Sequence, residues 1–416
     1  MPRVKRGASP TSTFVPNQRL PVHRWFRYSA GFSGGWAEAM VRAHARPEGL
    51  VLDPFAGVGT TLVAAQLGGR PSVGLEAHPF VARLAAAKLC WTGDAGALER
   101  AGAEVIAAAE AARAVEPVAL LDAAYVPEAL AELLGLRWAI ESLTREGSVE
   151  RQLAWLALAA ILRACSSAGT APWQYVLPRK QKTRIAAPRT ELAAQLARMV
   201  ADMRALARDA PPARVIGGDA RTCVGIADAS VDLVLSSPPY PNNYDYADAT
   251  RLEQTFFGEV RGWGDLQAVS RRFLVRACSQ HAAAERLSVP PLLEDAAVGP
   301  IAGELVAVCT ALGALRRTRA GHKAYDAMIA AYFGDLGRVF AALARVVRPG
   351  GKVCFVVGDS APYGVHVPAL DWLGRLAAAS GFALLERRRV RVRNVKWQNR
   401  KHRVPLEEAE LWWVRG

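Results

Sequence analysis

Polar and apolar positions alternate between two regimes along this chain. Short apolar runs of strand length, each stopped by glycine, proline or an acid, lie at 51–53, 72–75, 214–216 and 231–235, and within RPGGKVCFVVGDS at 348–360. Between them run long stretches rich in alanine and leucine with helical spacing. Strands alternating with helices predict an α/β fold built on a parallel sheet. In HRWFRYSAGFSGGWAEAMVRAH (23–44) an aromatic, basic stretch passes through a glycine-rich turn into a helix that Ser33 can cap. The strand 51–53 enters PFAGVGTTLVAAQLGG, a glycine-containing turn and a helix ending near Gly68 and Gly69, and the next strand ends in Glu76, so that 51–76 reads as a βαβ unit. A helix is expected over 325–347, an acidic strand tip at Asp359, and a closing antiparallel pair at 384–394 and 409–414.

These elements divide the chain. Residues 1–22 read as a flexible basic arm; 23–96, 213–249 and 323–416 carry the sheet; 97–212 and 250–322 read as helical insertions. Within the first insertion, SSAGTAPWQYVLPRKQKTR (166–184) breaks the helical spacing. Its Trp173 and Tyr175, with Arg179, Lys180, Lys182 and Arg184, suit base stacking and phosphate contact, and equally suit a solvated loop with one buried tryptophan.

Composition narrows the classes. In 416 residues, 52 Lys and Arg stand against 38 Asp and Glu, a formal charge of +14 that favours a polyanionic partner, although an arginine-rich codon bias gives the same excess. Six scattered cysteines without a C-x-x-C pair support neither a disulfide framework nor a metal site, and fit a reducing cytoplasm. The apolar stretch 153–162 is too short to cross a bilayer, and the N-terminus carries no apolar signal segment, so no membrane association is expected.

Two segments carry candidate chemistry. In PFAGVGTT the glycines allow close backbone approach to a ligand, and the helix that follows presents unpaired N–H groups. Neither G-x-G-x-x-G nor G-K-[ST] is present, which disfavours a dinucleotide or a nucleoside triphosphate. An acid at the tip of the second strand is where doubly wound folds hold a ribose diol. In VDLVLSSPPYPNNYDY (231–246) a buried strand ends in a stiff turn offering a hydroxyl, outward carbonyls and an aromatic ring, which together suit a planar amine.

DPFAGVGTT (53–61), Glu76, GDA (218–220) and SPPY (237–240) together resemble the S-adenosylmethionine-dependent amino-methyltransferases of DNA. The resemblance covers about 23–95, 213–248 and 325–416 and leaves both insertions unexplained. It implies a Rossmann-like class I methyltransferase sheet with an antiparallel C-terminal strand pair and helical insertions. It implies S-adenosylmethionine as cofactor, held by Phe32, Ser33, Asp53, Pro54, Phe55, Gly57, Gly59 and Thr60, with Glu76 on the ribose, Asp219 on the adenine amine and Ser237 at the methyl. Ser237, Pro238, Pro239 and Tyr240 would be the catalytic set. Serine in that position usually accompanies N4-cytosine methylation, whereas Asp or Asn accompanies N6-adenine methylation. The expected substrate is therefore a flipped cytosine in double-stranded DNA, gripped by the 166–184 loop with Asn242, Asn243 and Tyr244, although the two asparagines also suit a turn. N6-adenine methylation, an RNA substrate and a DNA-binding protein without catalysis stay open. A cognate restriction endonuclease acting separately and a cytoplasmic, nucleoid-associated location go with the same resemblance. The chain has no long C-terminal extension after SPPY, so target recognition is expected in 97–212, 250–322 or both.

Overall fold

A seven-stranded sheet organises the computed structural model, which describes residues 13–28, 31–110, 117–171, 175–206, 209–241, 244–318, 322–393 and 404–416. The strands are β1 (Leu50–Asp53), β2 (Ser72–Glu76), β5 (Ala213–Gly217), β6 (Val231–Ser236), β7 (Val347–Gly358), β8 (Phe382–Arg393) and β9 (Leu406–Arg415), with β3 (Ala168–Thr170) and β4 (Val176–Gln181) forming a separate hairpin. Their order across the large sheet is β5-β2-β1-β6-β7-β9-β8. Pairing is parallel from β5 to β7, and β9 runs antiparallel to both β7 and β8. This is a doubly wound, Rossmann-like sheet whose direction of winding reverses between β1 and β6. Ligands of such sheets lie beyond the carboxyl ends of the strands at that reversal.

The two faces of the sheet follow from side-chain alternation. Val51, Leu233, Leu235, Cys354, Val356 and Trp412 pack with Trp36, Ala37 and Val41 of the helix Gly34–His44 and with Ala64 and Ala65 of the helix Thr60–Leu67. Leu52, Val234, Phe355, Val357 and Trp413 face the other way, against the helices Tyr325–Val346 and Ala369–Ala379. Every residue of β6 is buried because both neighbours and both faces are covered, which is why its sequence is almost uniformly apolar.

The first insertion is a helical layer, Ala95–Ala108, Ala119–Ala124, Pro127–Leu143, Val149–Cys165 and Pro188–Leu206, packed on the helix Pro79–Leu89. The described part of the expected loose arm belongs to this layer. Phe14, Asn17 and Val22 are buried, and Asp202 accepts hydrogen bonds from Val22 N (3.1 Å), Arg24 Nε (3.0 Å) and Trp25 Nε1 (2.9 Å). Basic composition suggested an arm, but its apolar minority and one buried carboxylate hold residues 13–22 in place. The second insertion runs through short helices into Ala302–Thr318, which packs on Tyr325–Val346. The helical stretch Ala296–Thr318 and the helix Tyr325–Val346 are long and apolar enough to span a bilayer by composition; Tyr325–Val346 owes that character to being buried between the sheet and the insertion. Arg163 joins the two insertions through Glu253, whose side chain is 1% exposed, at 2.5 Å.

One buried charge locks the start of β6. Asp232 accepts from Arg46 N (2.7 Å), Arg46 Nε (2.6 Å) and Arg348 Nε (2.7 Å). Burial alone would raise its pKa, but these bonds outweigh it and hold the carboxyl below its ordinary value. Both arginines reach solvent, so removing the acid leaves them a way out to water. Asp232→Asn is expected to lower the unfolding free energy by about 2 kcal/mol at neutral pH in urea titration. The depressed pKa means that the wild-type advantage is full above about pH 4 and is lost as the pH falls further.

Candidate active site

At the carboxyl ends of β1, β2, β5 and β6 lies a cavity of about 470 Å³. Phe32, Pro54, Phe55, Gly57, Thr60, Glu76, Asp219, Ser237, Pro238, Pro239 and Tyr240 all line it, although they come from segments as much as 200 residues apart. Three other residues named from the sequence act from behind. Ser33 accepts from Trp36 N (3.4 Å) and caps the helix Gly34–His44 rather than facing the cavity. Gly59 has φ +80°, and a Cβ there would approach Ala85, so it serves the turn and the packing of the next helix. Asp53 is 1% exposed; it accepts from Phe55 N (3.0 Å) and from Ser236 Oγ (2.6 Å), and burial raises its pKa to about 6 against those bonds.

The cavity has a polar floor. Gly57, with φ +52°, donates its N–H to Glu76 Oε2 (2.8 Å), and His78 N donates to Glu76 Oε1 (2.8 Å). Burial nonetheless raises the Glu76 pKa to about 7. Burial also keeps His78 neutral, with a pKa of about 3, and its Nε2 lies 3.0 Å from Thr250 Oγ1. Asp219 is shared with Arg221, whose Nε lies 2.9 Å from both carboxylate oxygens, and Arg221 continues to buried Asp335 (3.2 Å). Asn17 holds the Phe32 segment by donating to Phe32 O (2.8 Å) and accepting from Gly34 N (2.7 Å).

At the β6 exit the Ser237 hydroxyl donates to Val356 O (2.9 Å) and meets the Tyr240 hydroxyl. Tyr332 Oη donates to Pro239 O (2.8 Å), while among the described residues no donor reaches Pro238 O. Burial drives the Tyr240 pKa far up, so its phenol stays protonated. The arrangement offers a hydroxyl oxygen and a carbonyl oxygen side by side, a few residues from a cradle of backbone N–H groups and a carboxylate suited to a ribose diol.

A family model described as DNA methylase, for N6/N4 methyltransferases, matches residues 4–87. That match supports the DNA amino-methyltransferase family. The type II methyltransferase M.BsoBI of Geobacillus stearothermophilus is 23% identical to this methyltransferase over 428 positions, spanning 89% of this chain and 80% of that protein. Among solved structures, the arsenic(III) S-adenosylmethionine methyltransferase CrArsM of Chlamydomonas reinhardtii aligns at TM-score 0.34 with 12% identity, over 98% of this chain and 75% of its own. A geranyl diphosphate methyltransferase in complex with S-adenosylmethionine aligns at TM-score 0.33 with 8% identity, over the whole of both chains. S-adenosylmethionine is the methyl donor of the DNA amino-methyltransferases, and the residues present fit it: a diol acceptor at Glu76, an amine acceptor at Asp219 and apolar walls at Leu75 and Val275 for a purine.

The residues named for DNA contact divide. Arg179, Lys180 and Arg184 are exposed on and just after β4. Lys182 instead folds back onto Arg163 O, half-buried. Tyr244 is 3% exposed, set against the rings of Tyr175 (5.8 Å) and Tyr246 (4.6 Å); it supports the cavity wall and is not placed to meet DNA. An aromatic just past the motif suggested stacking, but the apolar neighbours of its ring draw it inward. Trp173, Asn242 and Asn243 lie outside the described residues. Sequence reasoning missed Asn17, Tyr28, Tyr246, Phe273, Arg393 and Glu408; only the last two left a signal, as opposite charges on facing strands.

Glu76 accepts a diol best when ionised. For adenosine, which carries the diol and has no group of its own titrating near neutrality, affinity of this methyltransferase is expected to rise about tenfold between pH 6 and pH 8, following the ionised fraction of a group near 7. Calorimetric titration of wild type and Glu76→Gln, which should be weak and flat with pH, checks this.

Proposed function

We propose that this methyltransferase transfers a methyl group to the N4 amine of a cytosine turned out of duplex DNA, as the modification half of a type II pair whose endonuclease acts separately in the same cytoplasm. The observation that carries the reading is the Ser237 hydroxyl. Its proton goes to Val356 O, which leaves the oxygen able to accept, and among the described residues no donor reaches the neighbouring Pro238 carbonyl.

An exocyclic amine is a poor nucleophile because its lone pair is delocalised into the ring. When bound, S-adenosylmethionine supplies an electrophilic methyl on a sulfonium. Ser237 Oγ and Pro238 O accept the two amine protons, which favours a pyramidal nitrogen with its lone pair freed. That pair would attack the sulfonium methyl, S-adenosylhomocysteine would leave with the S–C bonding pair, and the methylated nitrogen, briefly cationic, would lose one proton to solvent. Tyr240, protonated throughout, provides a face for the base. Positioning and desolvation supply most of the effect, with no covalent bond to the protein.

Extruding the base costs roughly a few kcal/mol, offset by stacking worth about 1–3 kcal/mol and by phosphate contacts. Arg179, Lys180 and Arg184 are candidates for those contacts. Their hairpin is anchored beside the catalytic turn, since Asp245 N donates to Tyr175 Oη (2.8 Å).

Ser237→Ala should lower kcat about 10–100-fold while S-adenosylhomocysteine affinity stays within about twofold, because the proposed role of the hydroxyl is to hold the amine and not the cofactor. Chromatography of nucleosides from DNA incubated with radiolabelled cofactor should find N4-methylcytosine; label in N6-methyladenine alone would sink the cytosine reading, and label confined to RNA would sink DNA as substrate. Replacing Arg179, Lys180 and Arg184 together by alanine should weaken DNA binding and flatten its salt dependence by about two to three units of slope, near 0.9 for each phosphate no longer neutralised.

A further inference from the structure

One wall of the cavity, beside the β6 exit, is built by neither cofactor motif. It comes from the C-terminal hairpin: Arg391 and Arg393 at the end of β8, and Glu408 on β9. Glu408 is fully buried. Its Oε2 takes Arg391 Nε (3.1 Å) and Nη2 (3.0 Å) and stands 3.6 Å from Arg393 Nε, while its Oε1 is buried and has no hydrogen-bond partner among the described residues. Arg393 is fixed on three sides. Nη2 donates to Asp359 O (2.6 Å), Nε faces Glu408, and the guanidinium carbon lies 5.3 Å from the Tyr240 ring centroid.

A buried carboxylate with a spare oxygen is costly to maintain for folding alone. Here it holds a planar, five-donor cation against the ring beside the amine-binding turn, and among the described residues no acceptor reaches Arg393 Nη1. We propose that Arg393 is a specificity-determining residue that reads the ring edge of the extruded base, with Glu408 and Arg391 positioning it. The inference rests on the cytosine reading above and gives it a physical basis that Ser237 does not. Next to the N4 amine, cytosine carries two acceptors in succession, N3 and O2. Adenine carries one, N1, followed by a C–H. A forked donor therefore gains two hydrogen bonds from cytosine where it gains one from adenine, and its fixed geometry means that little rotamer freedom is lost on binding.

The test uses the full chain, DNA from a host lacking this enzyme, and nucleoside chromatography, with thermal unfolding and S-adenosylhomocysteine affinity measured in parallel. Arg393→Gln is expected to lower the N4-methylcytosine yield at least tenfold with cofactor affinity within twofold and an unchanged unfolding temperature. Arg393→Lys keeps the charge over Tyr240 but not the fork, and is expected to lose at least tenfold as well. Wild-type yield in either variant, or a loss matched by weaker cofactor binding or lower unfolding temperature in both, overturns the inference. Wild-type protein that makes only N6-methyladenine overturns the cytosine reading itself, whatever the variants do.

Discussion

A single hydrogen bond between the ends of two adjacent parallel strands sets the spacing on which the chemistry depends. Ser236 Oγ donates to Asp53 across the gap between β6 and β1 at 2.6 Å, and one turn further on Thr61 Oγ1 donates to Leu235 O at 3.0 Å. Asp53 ends the strand that feeds the glycine turn, and Ser236 immediately precedes Ser237. The glycine turn and the Ser237–Pro238 turn are thus tied at their roots, in a buried setting where such bonds are least weakened by water. Neither half can drift without breaking a bond that has no solvent to replace it.

The outer elements extend this core. Asn17 fixes the Phe32 segment from the helical layer, Tyr332 hangs the Pro239 carbonyl from the helix Tyr325–Val346, and Val356 of β7 orients the Ser237 hydroxyl. Each contact removes freedom from a group that faces the cavity. Asp335, fully buried, binds both Arg221 and Arg276, and so links the adenine side of the cavity to the segment of the second insertion that carries Phe273 and Val275.

Much of this was legible in the chain and some was not, for physical reasons. The central strands were plain because a strand covered on both faces must be apolar along its length and must stop at turn residues, as Val231–Ser236 does before Pro238. The glycine turn was plain because few other residues tolerate the backbone of Gly57 and Gly59, and Glu76 because an acid at the tip of an apolar strand stands out. Asn17 was not, since its role lies in bonds to backbone 15 and 17 residues away and asparagine in a loop has many uses. Tyr244 misled because position after a motif says nothing of which way a ring turns. The arginines of β8 read only as a basic strand: two register shifts, at 384–386 and 389–391, decide which of them faces inward, and bulges leave no mark in composition.

The position of β8 has one more consequence. Among the described residues it is the last strand of the sheet and pairs with β9 alone, so that its outer N–H and C=O groups form an open edge. Such an edge invites strand addition by another chain unless charge defends it. Arg387, Arg388 and Arg389 lie along that strand, so its middle carries charge that guards against self-association, while Arg391 and Arg393 at its end line the cavity. Neutral β-formers at Arg387 and Arg389 would leave the sheet folded and its border sticky, so that solubility would fail first.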